Sequence, residues 1–318
     1  MSPDPISRDP ISSDPFVNLR DIAEIELFIL RRMREFTLGD HASVFKGSGF
    51  NFVGLRDWEP GDRMSSIDWA QSSINNFSPL IVRDFEQDSN AAIVAVADAS
   101  LSTRCGYDGT LVAVAVARAL AAVGLSATFF QDMFGLLTFD HTFEPVTSAP
   151  PRIGRSHVLY CLDLYQRAVE QPEAAGATLA APRGQGITAV IEAQLRKTSL
   201  VPVISDFLFA DAAAFIHELS LLNNLHDVFL MMADVRFAYD LPSVSDGWIE
   251  AFDVESGRVR VLSRRELKRL GGRVDEWQQE IMRLARDADL DIVRIGLDRW
   301  DMETTLINFA AERRLRKM

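Results

Sequence analysis

The sequence predicts an α/β fold: a doubly wound, mostly parallel sheet with one antiparallel edge strand, preceded by an N-terminal helical and irregular segment. Three observations carry this. Two apolar runs, residues 91–97 and 200–205, each end at an acidic residue, Asp98 and Asp206. Uninterrupted apolar runs of strand length mark parallel strands buried on both faces. Strand-like and helical segments then alternate to the end of the chain, which places helices on both faces of one sheet. Finally, two strand-like segments meet at Asp132-Met133, a connection so short that it implies an antiparallel pair.

The elements follow in order. Residues 1–16 are rich in Pro, Ser and Asp and suggest a disordered tail. From 17 to 36, Ile22, Ile25, Ile29, Met33 and Phe36 recur at helical spacing. Residues 37–80 carry Gly47-Ser48-Gly49 and the turn Glu59-Pro60-Gly61-Asp62, and predict irregular structure. A short strand is expected at 80–85. These residues form a segment, 17–88, ahead of a larger domain at 89–318.

In that domain the strand at 91–97 is followed by a helix at about 109–123. Strands are expected at 126–131 and 134–143, then a Pro-rich loop at Pro150-Pro151. Helices near 156–169 and 188–197, a strand at 200–205, a helix at 212–222 and a strand at 228–233 come next. Residues 248–262 alternate like a hairpin turning at Glu255-Ser256-Gly257. Leu267, Leu270, Val274, Trp277, Ile281 and Leu284 form a helical stripe suited to packing on a sheet. The last strand is expected at 291–296, with a helix closing the chain.

Composition narrows the function classes. The 318 residues are 47% hydrophobic and 25% charged, with a formal net charge of −12. That balance argues against a nucleic-acid binder, which needs a basic stripe, and against docking on anionic lipid. Cys105 and Cys161 make no disulfide framework and fit a reduced, cytoplasmic setting. The start of the chain lacks a basic n-region and an apolar h-region, so it does not read as a signal peptide. The apolar stretch at 111–130 is interrupted by Arg118 and is Ala-rich, which suits a buried helix and strand better than membrane insertion.

Asp98, Ser100 and Ser102 directly follow the first central strand. In open α/β sheets, ligands bind beyond the carboxyl ends of strands where strand order reverses. If the strands at 91–97 and 200–205 are neighbours, Asp206 faces Asp98 across that crevice. Two hydroxyls and one or two carboxylates are hard oxygen donors suited to Mg2+ or Mn2+. Hydroxyl ligands leave the cation under-neutralised, so it attracts a carboxylate from outside. The competing reading is that Asp98 and Ser100 cap the next helix. Thr188, after Gly184-Gln185-Gly186, is either a fifth ligand or a helix N-cap. The five histidines are scattered and show no metal-ligand spacing.

Residues 94–102 resemble the first strand and DxSxS loop of von Willebrand factor A domains, a Rossmann-like fold. Residues 134–139 resemble their antiparallel edge strand, and Val203-Ile204-Ser205-Asp206 the strand that delivers the last metal-site aspartate. Upstream, Arg56, Trp58, Gly61, Asp62, Ile67, Asp68 and Trp69 resemble the signature of the bacterial DUF58 family, and the likeness extends over roughly residues 20–314. The resemblance implies a metal-ion-dependent adhesion site at Asp98, Ser100 and Ser102. It also implies association with MoxR-type AAA+ ATPases, in an adaptor or chaperone-like role. Where many relatives carry an acidic-proline pair, this chain has Asp234-Val235-Arg236.

The expectation is therefore a non-enzymatic interaction module that binds a protein partner through a divalent cation. Two alternatives stand beside it: a metal-dependent hydrolase such as a phosphatase, and a structural A-type domain with an empty site. The sequence has no P-loop and no GxSxG elbow. Phosphatases with a nucleophilic aspartate usually carry a second acid two residues on, where this chain has Ser100. The segment from Trp58 to Trp69 reads either as a contact surface or as a packed structural plug.

Overall fold

A computed structural model describes residues 15–37, 51–58, 67–74, 77–86, 92–107, 110–140, 145–170, 187–195, 198–209, 211–236, 248–253 and 258–296. All of the expected tail at 1–16 except residues 15 and 16, the Gly-rich stretch at 47–49, the turns at 59–62 and 255–257, and the closing helix lie outside these residues. The chain divides into two compact units, residues 31–91 and residues 1–30 with 92–318.

In the smaller unit, β1 (Asn51–Asp57) pairs antiparallel with β2 (Ile81–Glu86), with a register shift between Phe52 and Gly54. The sequence pattern over 37–80 predicts irregular structure, but 51–57 form β1; its Gly54 and the bulge break the alternation that marks a strand. Helix α2 (Trp69–Ile74) starts at Asp68, whose Oδ1 accepts from the backbone N–H of Ala70 (3.0 Å) and Gln71 (3.1 Å). That is an N-cap. Ile67 bridges to Val82, and both side chains are buried. Asp68 and Ile67 thus have structural roles, whereas Trp69 is exposed.

The larger unit opens with the first part of α1 (Leu19–Thr37), residues 19–30, which buries Ile22, Ile25 and Ile29 on one stripe. Its sheet begins at β3 (Ala92–Asp98), a fully buried apolar run from Val94 to Ala97. A 3-10 turn (Leu101–Arg104) and two short strands, β4 (Gly106–Tyr107) and β5 (Thr110–Leu111), lead into α3 (Val112–Phe129). Then come β6 (Met133–Phe139), β7 (Pro145–Arg152), α4 (Arg155–Glu170) and α5 (Ile187–Gln194). β8 (Leu200–Ser205), α6 (Ala212–Leu222) and β9 (Asp227–Ala233) follow. The expected hairpin is present as β10 (Trp248–Asp253) and β11 (Arg258–Ser263), before α7 (Arg264–Asp287) and β12 (Asp291–Ile295).

The main sheet has six strands in the order β12-β9-β8-β3-β6-β7, all parallel except β7, which runs antiparallel to β6 at the edge. The expected fold class is therefore observed, but two assignments within it are corrected. Residues 126–129, expected in a strand, are the last turn of α3. A helix buried nearly all round has no apolar period to display, and Thr128-Phe129-Phe130 imitates strand composition. The short connection at Asp132 is consequently a helix-to-strand turn. β6 pairs parallel with β3, and the antiparallel edge strand is β7, which contains Pro150-Pro151. An edge strand tolerates proline because its outer N–H groups have no partner to lose.

Helix α3 is long and apolar enough to cross a membrane. Here it packs on the sheet and on α4, which accounts for its apolar surroundings. Gly124 allows the α3–α4 approach: a Cβ there would lie 2.7 Å from Val158 Cγ1 and 3.1 Å from Phe134 Cε1. Gly124→Leu should therefore destabilise the protein by about 3 kcal/mol through overpacking. A denaturant midpoint unchanged by the substitution would show that the two helices can separate freely.

Candidate functional site

In chain order the strands run from β3 outward to β6 and β7, then return to the other side of β3 at β8. The order thus reverses between β3 and β8, and the crevice at their carboxyl ends is the switch point where such sheets bind ligands. Asp98 ends β3, and Asp206 directly follows β8. The two strands are hydrogen-bonded neighbours in register at Val96↔Val203 and Ala97↔Ile204.

The loop after β3 is shaped by Asp98 itself. Its Oδ1 accepts from the backbone N–H of Ser100 at 2.8 Å, and Ala99 N–H donates to the Phe139 carbonyl at 2.8 Å. Ser100 is the N-cap residue of the 3-10 turn, yet its side chain makes no capping bond. Its Oγ instead lies 3.0 Å from Ser102 Oγ, and Ser102 Oγ donates to Asp206 Oδ1 at 3.2 Å. Asp98, Ser100, Ser102 and Asp206 therefore form one connected cluster. Thr188 is the second residue of α5 and partly buried; among the described residues no hydrogen bond joins it to the other four.

The cluster is held from behind by residues that no sequence pattern marks. Ser205 Oγ donates to Asp98 Oδ2 at 2.6 Å and accepts from Phe207 N–H at 2.8 Å. Tyr165, fully buried on α4, donates its hydroxyl to the Asp98 carbonyl at 3.0 Å. Gln278 on α7 donates to the Ala233 carbonyl at 2.8 Å and to the Asp206 carbonyl at 3.5 Å, and Trp277 Nε1 donates to the Phe207 carbonyl at 2.8 Å. Phe207 itself sits at φ 56°, a left-handed conformation uncommon for a bulky residue. Such strain persists only where surrounding contacts enforce it. No spacing rule marks Ser205, Tyr165 or Gln278, since each acts from a different element.

Asp98 and Asp206 are completely buried. Burial pushes the Asp98 carboxyl above its ordinary range, with Asp140 adding repulsion against the opposing hydrogen bonds from Ser100 and Ser205. Burial, followed by the charge on Asp98, raises Asp206 to about 7. Among the described residues no Lys, Arg or His forms an ion pair with either. Asp206 Oδ1 accepts from Leu208 N–H at 2.9 Å as well as from Ser102, but its buried Oδ2 has no hydrogen-bond partner. Buried ionisable oxygens without a partner are costly, and a cation is the simplest group that would satisfy this one.

The described residues include no group of three or more His, Cys, Asp or Glu suited to a metal. The donor set here is different in kind, two carboxylates and two hydroxyls. Such oxygens fit Mg2+ or Mn2+, with water completing the shell, far better than a soft metal.

Solved structures with likeness to this chain include conserved hypothetical protein BatB from Bacteroides thetaiotaomicron, 12% identical over 70% of this chain and 99% of that one, with a TM-score of 0.35. Another is an aerotolerance-related membrane protein from Bacteroides fragilis, 13% identical over the same shares, with a TM-score of 0.36. Among curated sequences, uncharacterized proteins of Mycobacterium tuberculosis and Mycobacterium bovis are each 24% identical over 299 residues, covering 91% of this chain and 88% of theirs. The family model described as "Protein of unknown function DUF58" matches residues 54–273, most of the chain, so the chain belongs to that family.

Proposed function

We propose that this protein is a non-enzymatic interaction module of von Willebrand factor A type. It binds a carboxylate of a protein partner through a divalent cation, Mg2+ or Mn2+, held by Asp98, Ser100, Ser102 and Asp206. The observation that carries this reading is the buried, unpartnered Asp206 Oδ2 beside two serine hydroxyls at the sheet's switch point. When bound, the cation would have open coordination positions that two carboxylates and two hydroxyls do not fill. Asp98 shapes the loop that presents the serines, and Ser205 and Tyr165 fix Asp98. Thr188 is a fifth ligand only if the loop before it approaches the cluster. The partner class, a MoxR-type AAA+ ATPase or its client, rests on the family resemblance. A cytoplasmic setting rests on the free Cys105 and Cys161 and on the packing of α3 in the core.

The test is a calorimetric titration of Mg2+ and Mn2+ into the wild-type protein and Asp98→Ala, followed by capture of the ATPase with and without EDTA. Saturable binding, lost in the variant, and EDTA-sensitive capture are expected. Wild-type protein that takes up neither cation, or capture indifferent to EDTA, overturns the reading. Sustained phosphatase turnover with magnesium, abolished by Asp98→Asn, would favour a hydrolase instead.

A further inference from the structure

Residues 2–16 form a tandem repeat. Ser2-Pro3-Asp4-Pro5-Ile6, Ser7-Arg8-Asp9-Pro10-Ile11 and Ser12-Ser13-Asp14-Pro15-Phe16 are three successive copies of one five-residue pattern: serine, a variable residue, Asp-Pro, and a large apolar residue. The structure describes the end of the third copy. Phe16 is half-buried against α4, its ring edge-on to Tyr165 with centroids 6.3 Å apart, and its N–H donates to Gln166 Oε1 at 3.2 Å. The chain's course just beyond this seat is fixed. Asn18 and Asp21 each donate a backbone N–H to the other's side chain, at 3.1 and 2.9 Å, in the manner of a capping box. The buried Val17 and Ile22 stand at the positions of a hydrophobic staple.

Two lines of contact join this seat to the loop after β3. In one, Tyr165 packs its ring on Phe16 and donates its hydroxyl to the Asp98 carbonyl. In the other, Gln166 accepts from Phe16 and donates through Nε2 to Glu170 Oε1 at 2.7 Å. Glu170 lies near Arg104, two residues beyond Ser102; burial disfavours the Arg104 charge and the Glu170 carboxylate favours it. Arg104 in turn donates to the Val169 carbonyl in the last turn of α4, an end of a helix where a cation is favourable. The loop from Asp98 to Arg104 is thus fastened at both ends to the helix that carries Phe16. We infer that α4 around Tyr165 and Gln166 is a binding seat for an Asp-Pro-apolar segment, that the chain's own repeat is its occupant, and that occupancy steadies the Asp98–Arg104 loop. The seat reads a backbone N–H and an apolar side chain, and Ile6 and Ile11 offer both at the same place in the pattern. The third copy fills the seat because it is joined directly to α1. A partner that draws the repeats away empties the seat and loosens the loop. The seat needs no cation; only its effect on cation uptake rests on the proposed site.

The test uses the full chain, its Phe16→Ala and Phe16→Ile variants, and three blocked peptides followed by proton NMR. The peptides are acetyl-Ser-Ser-Asp-Pro-Phe-amide, acetyl-Ser-Arg-Asp-Pro-Ile-amide and acetyl-Ser-Ser-Asp-Pro-Gly-amide. Phe16→Ala empties the seat and keeps the cap and staple of α1. The Phe peptide should bind this variant about tenfold or more tighter than the wild type, whose seat is held by a tethered competitor. The Ile peptide should bind it more weakly, and the Gly peptide should not bind. Thr103 and Cys105 N–H groups donate to the Ser100 and Ser102 carbonyls at 3.2 and 2.9 Å, and their hydrogen exchange reports on the loop without any cation. That exchange should quicken several-fold in Phe16→Ala, slow again when the Phe peptide is added, and stay close to wild type in Phe16→Ile. Affinity for Mn2+ should fall about fivefold in Phe16→Ala and recover with the Phe peptide. If the Phe peptide does not bind Phe16→Ala, or binds the wild type equally well, the inference is overturned. Loop exchange that is the same in Phe16→Ala and wild type overturns it too. So does a Phe16→Ile protein that behaves like Phe16→Ala, since the seat would then read an aromatic ring and not the repeat. If the peptides and the exchange respond as expected but no protein takes up Mn2+, the cation site fails and the seat stands.

Discussion

In EDTA at pH 8, Asp206→Asn is expected to be more stable than the wild-type protein by roughly 1–3 kcal/mol, and to have lost cation binding. The folded protein raises the Asp206 carboxyl from 3.8 to about 7, with burial the main cause and Asp98 the second. The native state therefore binds more protons than the unfolded chain between those values. Stability from this group is fully present below pH 4 and is lost as pH rises through about 7. Asparagine keeps an oxygen for Leu208 N–H and Ser102 Oγ and never ionises. Its buried amide NH2 is left without a partner, a penalty of about 1–3 kcal/mol, which trims the gain. At pH 5, where wild-type Asp206 is largely protonated, the two proteins should converge. Saturating Mg2+ or Mn2+ should stabilise the wild type more at pH 8 than at pH 5, and the variant at neither. Thermal melts at the two pH values, with and without cation, check all of this. A wild-type stability that rises from pH 5 to pH 8 in EDTA relative to Asp206→Asn would mean that Asp206 ionises at little cost and needs no cation.

That such a residue ends a central strand was legible from the chain alone. An apolar run buried on both faces has no alternation, and the first charge after it marks the carboxyl edge of the sheet. Residues 91–98 and 200–206 both have this form, and their strands are neighbours. The sequence was less informative where two physical causes produce the same pattern. The stretch from Val112 to Phe129 is apolar on every side because it packs on both the sheet and α4, so its last turn resembled a strand. The Pro150-Pro151 pair suggested a loop because its tolerance depends on β7 lying at an edge, a property of strand order rather than of local sequence.

The candidate ligands divided in the same way. Asp98, Ser100 and Ser102 share one loop, so their convergence can be read from spacing. Asp206 needed only the assumption that two strands pair. Thr188 depended on a Gly-rich approach with no sequence constraint linking it to the cluster, and no hydrogen bond joins it there among the described residues. Ser205, Tyr165 and Gln278 reach the cluster from the last residue of β8 and from α4 and α7, and no local pattern announces such contacts.

Ser205 is where that hidden layer should have its largest effect. Ser205→Ala is expected to destabilise the metal-free protein by about 3 kcal/mol or more, because it strips two buried polar groups at once. Asp98 Oδ2 loses its 2.6 Å donor, and Phe207 N–H loses its 2.8 Å acceptor while the residue stays in a left-handed conformation. The Ser205 bond favours the ionised form of Asp98, so its loss raises that carboxyl further, and the destabilisation should grow with pH. Ser102→Ala provides the contrast. Ser102 is only partly buried and gives Asp206 a single 3.2 Å bond, so its removal should cost less than about 1 kcal/mol, while reducing affinity for Mn2+ as a direct ligand would. Urea denaturation and Mn2+ titration of the two variants should therefore separate: one loses stability first, the other affinity first. Equal stability of Ser205→Ala and the wild type would show that Asp98 is not held by Ser205, and the distinction between supporting and ligating serines would collapse.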